Sequence, residues 1–173
     1  MIIMLNGSFG VGKTTTALAL AQRLPNAHLF DPEDVGHFVR HLTGGLRRGA
    51  EDTDDFQDIR IWPPLTVITA QQLYQSYAHP LIVPMTLANP AYLAPIRKGF
   101  STIAPVYHFC LVASLETIQQ RLQTRGEGPG SWTWRKAAQY VPQLTDPSYA
   151  THIDTERQAV PEIVDQILAH IAT

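Results

Sequence analysis

Short apolar runs alternate along this chain with longer stretches in which apolar residues return at helical spacing. Residues 2–5 (IIML) are too short and too β-branched for a helix and read as a fully buried strand. Residues 13–24 place Ala17, Leu18, Ala21 and Leu24 together on a helix that Pro25 and Asn26 stop. A second short strand is expected at 27–30 and a helix at 35–42. Residues 65–77 read as a helix ended by His79-Pro80, and 81–85 (LIVPM) as a third strand. Pro90 and Pro95 bracket a short helix, and 106–112 form a fourth strand. Leu115, Ile118 and Leu122 mark a helix over 115–124, residues 125–130 (RGEGPG) a loop and 132–141 a further helix. A brief strand at 151–154 precedes a closing amphipathic helix carrying Val160, Ile163, Val164, Ile167, Leu168 and Ile171. Five buried strands alternating with helices imply an α/β three-layer sandwich, a parallel sheet with helices on both faces.

The 44–58 stretch is rich in glycine, arginine and aspartate and has no clean period. With the residues up to Pro64 it exceeds an ordinary loop, a length that goes with lids, substrate loops or disorder. The whole chain of 173 residues is expected to be one domain, with a substrate-binding insertion at about 35–64 and a lid at about 125–135.

Between the first strand and the first helix stands GSFGVGKT, residues 7–14, which fits G-x-x-x-x-G-K-[ST] at every fixed position. This is the phosphate cradle of the P-loop NTPases. Gly7, Gly10 and Gly12 let backbone N–H groups, Val11 included, curl around phosphate oxygens, and the helix start at Thr14 and Thr15 adds partial positive charge. Lys13 is expected to reach the β- and γ-phosphates and the Thr14 hydroxyl to ligate Mg²⁺. The chain has no Asn-Lys-x-Asp guanine signature, which favours ATP over GTP.

Composition narrows the partners. A net charge of -2 with 16% charged residues gives no basic face for nucleic acid. The one cysteine, Cys110, sits in an apolar run and cannot make an internal disulfide, which suits a reducing cytoplasm. No signal peptide and no apolar run long enough to span a bilayer is visible. Oligomeric state is not legible.

A phosphate cradle does not by itself name a reaction. FDPEDVG follows the second strand, and in a doubly wound sheet ligands sit beyond the carboxyl ends of the strands. Asp31 is therefore a candidate to deprotonate a substrate hydroxyl or to hold a Mg²⁺-bound water; it also suits the N-cap of a helix with Pro32 at its first position. Glu33 and Asp34 are secondary candidates, since first-turn acids also complement a helix dipole. Arg121 and Arg125 lie four apart beside the glycine-rich lid; Arg125 could swing onto the transferring phosphoryl group and Arg121 could lie on adenine or phosphate, unless both are a solvated pair. An aspartate that ends the third strand in many P-loop NTPases is missing, because the strand closes in Pro84, Met85 and Thr86. Phe56 and Trp62 among the acids of 54–58, and Trp132 beside the lid, are candidate substrate contacts; an exposed loop and a helix anchor are the competing readings. His37 and His41 have metal-like spacing, but Phe38 stands where a zincin glutamate would be, so a solvated helix face is expected.

Taken together, MIIMLNGSFGVGKTTTA, FDPEDVG, DDFQ, LIVPMTLANPAY, RLQTRGEG followed by SW, and HIDT resemble the tunicamycin-resistance ATP-binding protein family over most of the chain. The fold this implies is similar to that of chloramphenicol phosphotransferase and shikimate kinase, a P-loop small-molecule kinase. The resemblance places the acid that acts on the acceptor hydroxyl at Asp31 and the lid arginine at Arg125. It implies ATP-dependent protection against tunicamycin, a nucleoside antibiotic, by phosphorylation or by sequestration; a housekeeping nucleoside kinase is a third reading. Some members carry a basic, membrane-associated C-terminal extension; the sequence here runs to Thr173 just past its closing helix, so membrane attachment is not expected.

Overall fold

Alternation along the strands sets the layers. In Ile2–Gly7 (β1), Ile2 and Met4 enter one apolar cluster while Ile3 and Leu5 enter the other, as the two-residue period of a strand requires. Leu81–Met85 (β3) and Val106–Val112 (β4) divide in the same way: Leu81, Val83 and Cys110 on one side, Ile82, Phe109 and Leu111 on the other. The computed structural model describes residues 1–146 and 149–172, so the domain end expected at Thr173 lies outside the described residues. With His28–Leu29 (β2) and Thr151–Asp154 (β5) the strands form one parallel sheet in the order β2-β3-β1-β4-β5.

Helices Lys13–Arg23 (α1), Leu115–Thr124 (α5) and Val160–Ile171 (α7) cover one face through Ala17, Leu20, Ile118, Leu122, Val164 and Ile167. Pro32–Leu42 (α2), Trp62–Tyr77 (α3) and Pro90–Ser101 (α4) cover the other, and Trp132–Leu144 (α6) feeds Ala137 into one cluster and Leu144 into the other. No described helix is long and apolar enough to cross a membrane.

Several boundaries differ from the sequence expectation. α2 begins at Pro32 rather than residue 35, because Asp31 caps it. α3 begins at Trp62 rather than 65: Pro63 and Pro64 fall in its first turn, where a missing N–H costs no hydrogen bond. α4 and α6 run through Pro95 and Pro142 instead of stopping near them. Both prolines are exposed, as are Ala91 and Ala138 four residues earlier, so the carbonyls that lose their helical donors can turn to water. The burial of Phe100 and Leu144 beyond them offsets an interior-proline cost of about 3 kcal/mol.

The expected irregular insertion condenses into two 3-10 turns, Gly49–Glu51 and Phe56–Asp58, held by contacts far apart in sequence. The Gln57 amide donates to the Thr86 carbonyl at 3.0 Å, and the Trp62 indole to the Pro32 carbonyl at 3.1 Å.

Pro84 occupies β3 without breaking it. β2 pairs with β3 only as far as Leu29↔Ile82, and its last contact is the Phe30 amide donating to the Ile82 carbonyl at 2.9 Å. The Leu81 amide turns to β1, where it meets the Met1 carbonyl, so by alternation residue 84 faces the side that β2 has left. A proline is tolerated where no ladder partner waits.

Candidate active site

The loop at the carboxyl end of β1 is built by exclusion. A Cβ on Gly7, whose φ is +148°, would stand 2.7 Å from the Leu111 carbonyl oxygen and 2.7 Å from Val11 Cγ1. Gly12, at φ +105°, enters α1 in a conformation that L side chains avoid. No side chain caps α1, so its first amides keep their donors for an anion. Lys13 Nζ donates to the Ser8 carbonyl at 2.9 Å and lies 5.5 Å from the Phe9 ring centre. Ser8 Oγ is buried without a partner. Thr14 and Thr15 are exposed on the first turn of α1.

Gly10, Gly12, Lys13, Thr14, Asp31, Glu33, Pro84 and Arg125 surround a cavity of about 200 Å³. The structure thus brings the loop, Asp31 at the cap of α2, Glu33 in its first turn and Arg125 to one place. Asp31 serves as cap and as cavity wall at once: its carboxylate accepts from the Glu33 amide at 2.9 Å and still lines the cavity. Burial raises its pKa, offset in part by that amide, and raises that of Glu33, with Asp31 adding to the effect. Burial pushes Lys13 down to about 8, against the opposing pull of Glu33 and Asp31. Anionic phosphate binding needs the ammonium form, so affinity for ADP should fall as pH rises through about 8, approaching a tenfold loss per pH unit above it; calorimetric titration from neutral to alkaline pH checks this.

The two lid-side arginines separate. Arg125 is exposed, its guanidinium donates to no described residue, and it lines the phosphate cavity. Arg121 is turned inward, away from the expected contact with adenine or phosphate. Its guanidinium donates to the Val11 carbonyl at 3.3 Å, to Thr155 Oγ1 at 3.1 Å and to the Thr155 carbonyl at 2.7 Å. It braces the glycine loop against the turn after β5 and does not line the cavity.

A larger cavity of about 430 Å³ shares Phe9 and Glu33 with the first and is closed by His37, Arg40, Phe56, Gln57, Trp132 and Thr133, among others. Phe56 and Trp132, both expected as substrate contacts, line this cavity. Trp62 does not: it has no exposed surface and sits behind Phe56, ring centres 5.3 Å apart, as core. Sequence reading missed Phe9, a variable position of the glycine motif, whose ring meets Trp132 edge-on at 5.2 Å and ties the loop to α6. Gly36 was also missed. A Cβ there would come within 2.5 Å of the Phe56 ring, so Gly36→Ala should displace Phe56, cost about 1–3 kcal/mol of stability and raise the acceptor KM while leaving ADP affinity unchanged. Thermal unfolding and steady-state kinetics test both parts.

Among the described residues no three His, Cys, Asp or Glu side chains gather as a metal site, His37 and His41 included. The phosphate cavity nonetheless fits a nucleotide with Mg²⁺. A side chain at Gly7 would clash, Ser8 Oγ lacks a partner, and the Thr14 hydroxyl with the Asp31 and Glu33 carboxylates supplies hard oxygen donors. Mg²⁺ is commonly held by one or two such ligands plus phosphates.

A parallel sheet with a glycine loop after its central strand, an acid after β2 and an arginine after α5 facing the same cavity defines a P-loop kinase-like protein. Residues 2–143 match the AAA domain family. The tunicamycin resistance protein of Deinococcus radiodurans is 34% identical, with a TM-score of 0.80 over 98% of this chain and 94% of that one. The chain belongs to that AAA domain family and, with the tunicamycin resistance protein, to its P-loop kinase-like group. The fold also matches a gluconokinase from Sinorhizobium meliloti 1021 (18% identity, TM-score 0.68, 98% and 90% of the two chains). It matches shikimate kinase from Acinetobacter baumannii as well (19%, 0.61, 99% and 92%). No curated protein sequence matches.

Proposed function

We propose that the protein is a kinase that moves a phosphoryl group from ATP to a hydroxyl of a small molecule, with tunicamycin or a related nucleoside as the acceptor. The observation that carries this reading is the convergence of Lys13, Asp31, Glu33 and Arg125 on one cavity beside the glycine loop, which shares Phe9 and Glu33 with a larger one. The 34% identity to the tunicamycin resistance protein supports the acceptor. Magnesium, when bound, would neutralise charge on the phosphates, held by Thr14 and, through a bound water, by Asp31, both of which line the cavity. The loop amides and Lys13 bind and orient the phosphates, Asp31 takes the proton of the acceptor hydroxyl, and Arg125 balances negative charge at the transferring group. Phe56 and Trp132 stack on the acceptor ring and keep water out. The absence of a membrane-crossing helix among the described residues fits a cytoplasmic site of action.

A second reading has its own support. β3 ends in Pro84 and Met85, followed by the buried Thr86, with no carboxylate for a Mg²⁺ water shell, which suits a protein that sequesters the drug and keeps the nucleotide as a switch. Incubating the protein with Mg-ATP and tunicamycin and weighing the drug by mass spectrometry decides. A product heavier by one phosphoryl group, made by wild type and absent with Lys13→Ala, establishes the kinase. Unmodified drug with saturable binding moves the assignment to sequestration.

A further inference from the structure

Beyond the acceptor cavity the protein holds another chamber of about 410 Å³ that the reading above leaves unused. It meets the acceptor cavity at Asp55 and Gln57, which line both. Its walls are polar and come from three places: Asp58 of the insertion, Asn89 and Tyr92 at the start of α4, and Gln139 and Gln143 of α6. The last two lie four apart on one helix face and project no charge. Their amides make no hydrogen bond to any described residue, and the Gln57 oxygen, whose amide nitrogen is tied to Thr86, is equally free. Asp58 by contrast is fixed, accepting from Thr53 Oγ1 at 2.7 Å and from the Tyr92 hydroxyl.

The sill between the chambers is built. Lys136 Nζ is 3.7 Å from Asp55 Oδ2 and lies over two rings, 5.5 Å from the Trp132 centre and 5.2 Å from the Tyr140 centre. One cation, held by an acid and two aromatic faces, thus links the lid-side helix to the insertion where the two chambers join. Neutral amides, a phenol and a carboxylate around a solvated chamber, with ring faces at its mouth, form the donor–acceptor mixture that recognises sugar hydroxyls rather than phosphate or an alkyl chain.

We infer that this chamber is a distal subsite for a second, hydroxyl-rich ring, so that the acceptor class is a glycosylated nucleoside rather than a single ring. The inference rests on the acceptor reading above, but it is tested by binding alone and needs no turnover. Tunicamycin, a lipid-tailed nucleoside carrying a further sugar, and uridine, which lacks both, serve as probes in calorimetric titrations of wild type and the double variant Gln139→Ala, Gln143→Ala, the variant isolating the sugar's share. Both positions are exposed on a helix, and alanine is the best helix former, so the variant should fold. Tunicamycin is expected to bind wild type more tightly than uridine and to lose about tenfold in the variant, while uridine and ADP affinities stay within error. Tunicamycin binding no tighter than uridine, an unchanged tunicamycin affinity in the variant, or an equal loss for both probes overturns the subsite. Failure of the kinase reading alone looks different: the affinity split persists while no phosphorylated drug forms.

Discussion

Asp31→Asn is expected to lower kcat by about 10²–10⁴ while leaving ADP affinity within about twofold of wild type. The amide still caps α2, because its oxygen can accept from the Glu33 amide as the carboxylate does at 2.9 Å. Folding and the entry to the site should therefore survive, and what is lost is the proposed base. The structure gives that base a reason to be effective. Burial raises its pKa, so it holds a proton more firmly than an ordinary aspartate and takes one from a hydroxyl more readily. Comparing pre-steady-state phosphoryl transfer with ADP titration separates the two effects. Full activity would remove Asp31 from proton transfer and leave it a cap.

Lys13→Ala should be more damaging still in the ground state, weakening ADP binding and reducing kcat/KM by about 10³ or more. In the structure the ammonium lies along the loop, bonded to the Ser8 carbonyl and set over the Phe9 ring. It is already stripped of much of its water, which is why its pKa falls to about 8 and why a phosphate can replace its partner at little desolvation cost. Removing it takes away a cation whose charge eases the ionisation of both Asp31 and Glu33, and both should become harder to ionise. The Lys13→Ala protein should therefore show a more alkaline rise in any residual activity. An unchanged nucleotide affinity would detach Lys13 from the phosphates.

The two substitutions probe the part of the site that the sequence displayed most openly. The glycine motif and the apolar strands are local signals. A fully buried parallel strand needs an unbroken apolar run, and a phosphate loop needs its glycines at fixed spacing, so β1, α1 and the order of elements were readable. The acceptor side was read only in part, because there the chain is held by contacts that sequence spacing does not show. Trp62 looked like a substrate contact for its polar neighbours; Pro63 and Pro64, a helix-start signal, were the clue that it opens α3 and turns into the core. Arg121 and Arg125 looked alike, four apart on one face, and only the turn after β5, where Thr155 sits, separates a brace from a free cation. Asn6 gave no signal at all. Its amide nitrogen donates to the Leu87 carbonyl and its oxygen accepts from the amides of Gly7 and Leu87, so a side chain from β1 stitches the glycine loop to the segment after β3.

Pro84 bears on how the base can be tuned. It lines the phosphate cavity with Asp31, on the side of β3 that β2 has left. Any other residue there would present a backbone amide toward that gap, and an amide donor near a carboxylate favours the ionised form and weakens it as a base. Proline at this position thus offers Asp31 no amide donor, and among the described residues its backbone donor is its own cap partner, Glu33. On the proposed reading, a hydrogen that the neighbouring strand does not have leaves this aspartate the stronger base.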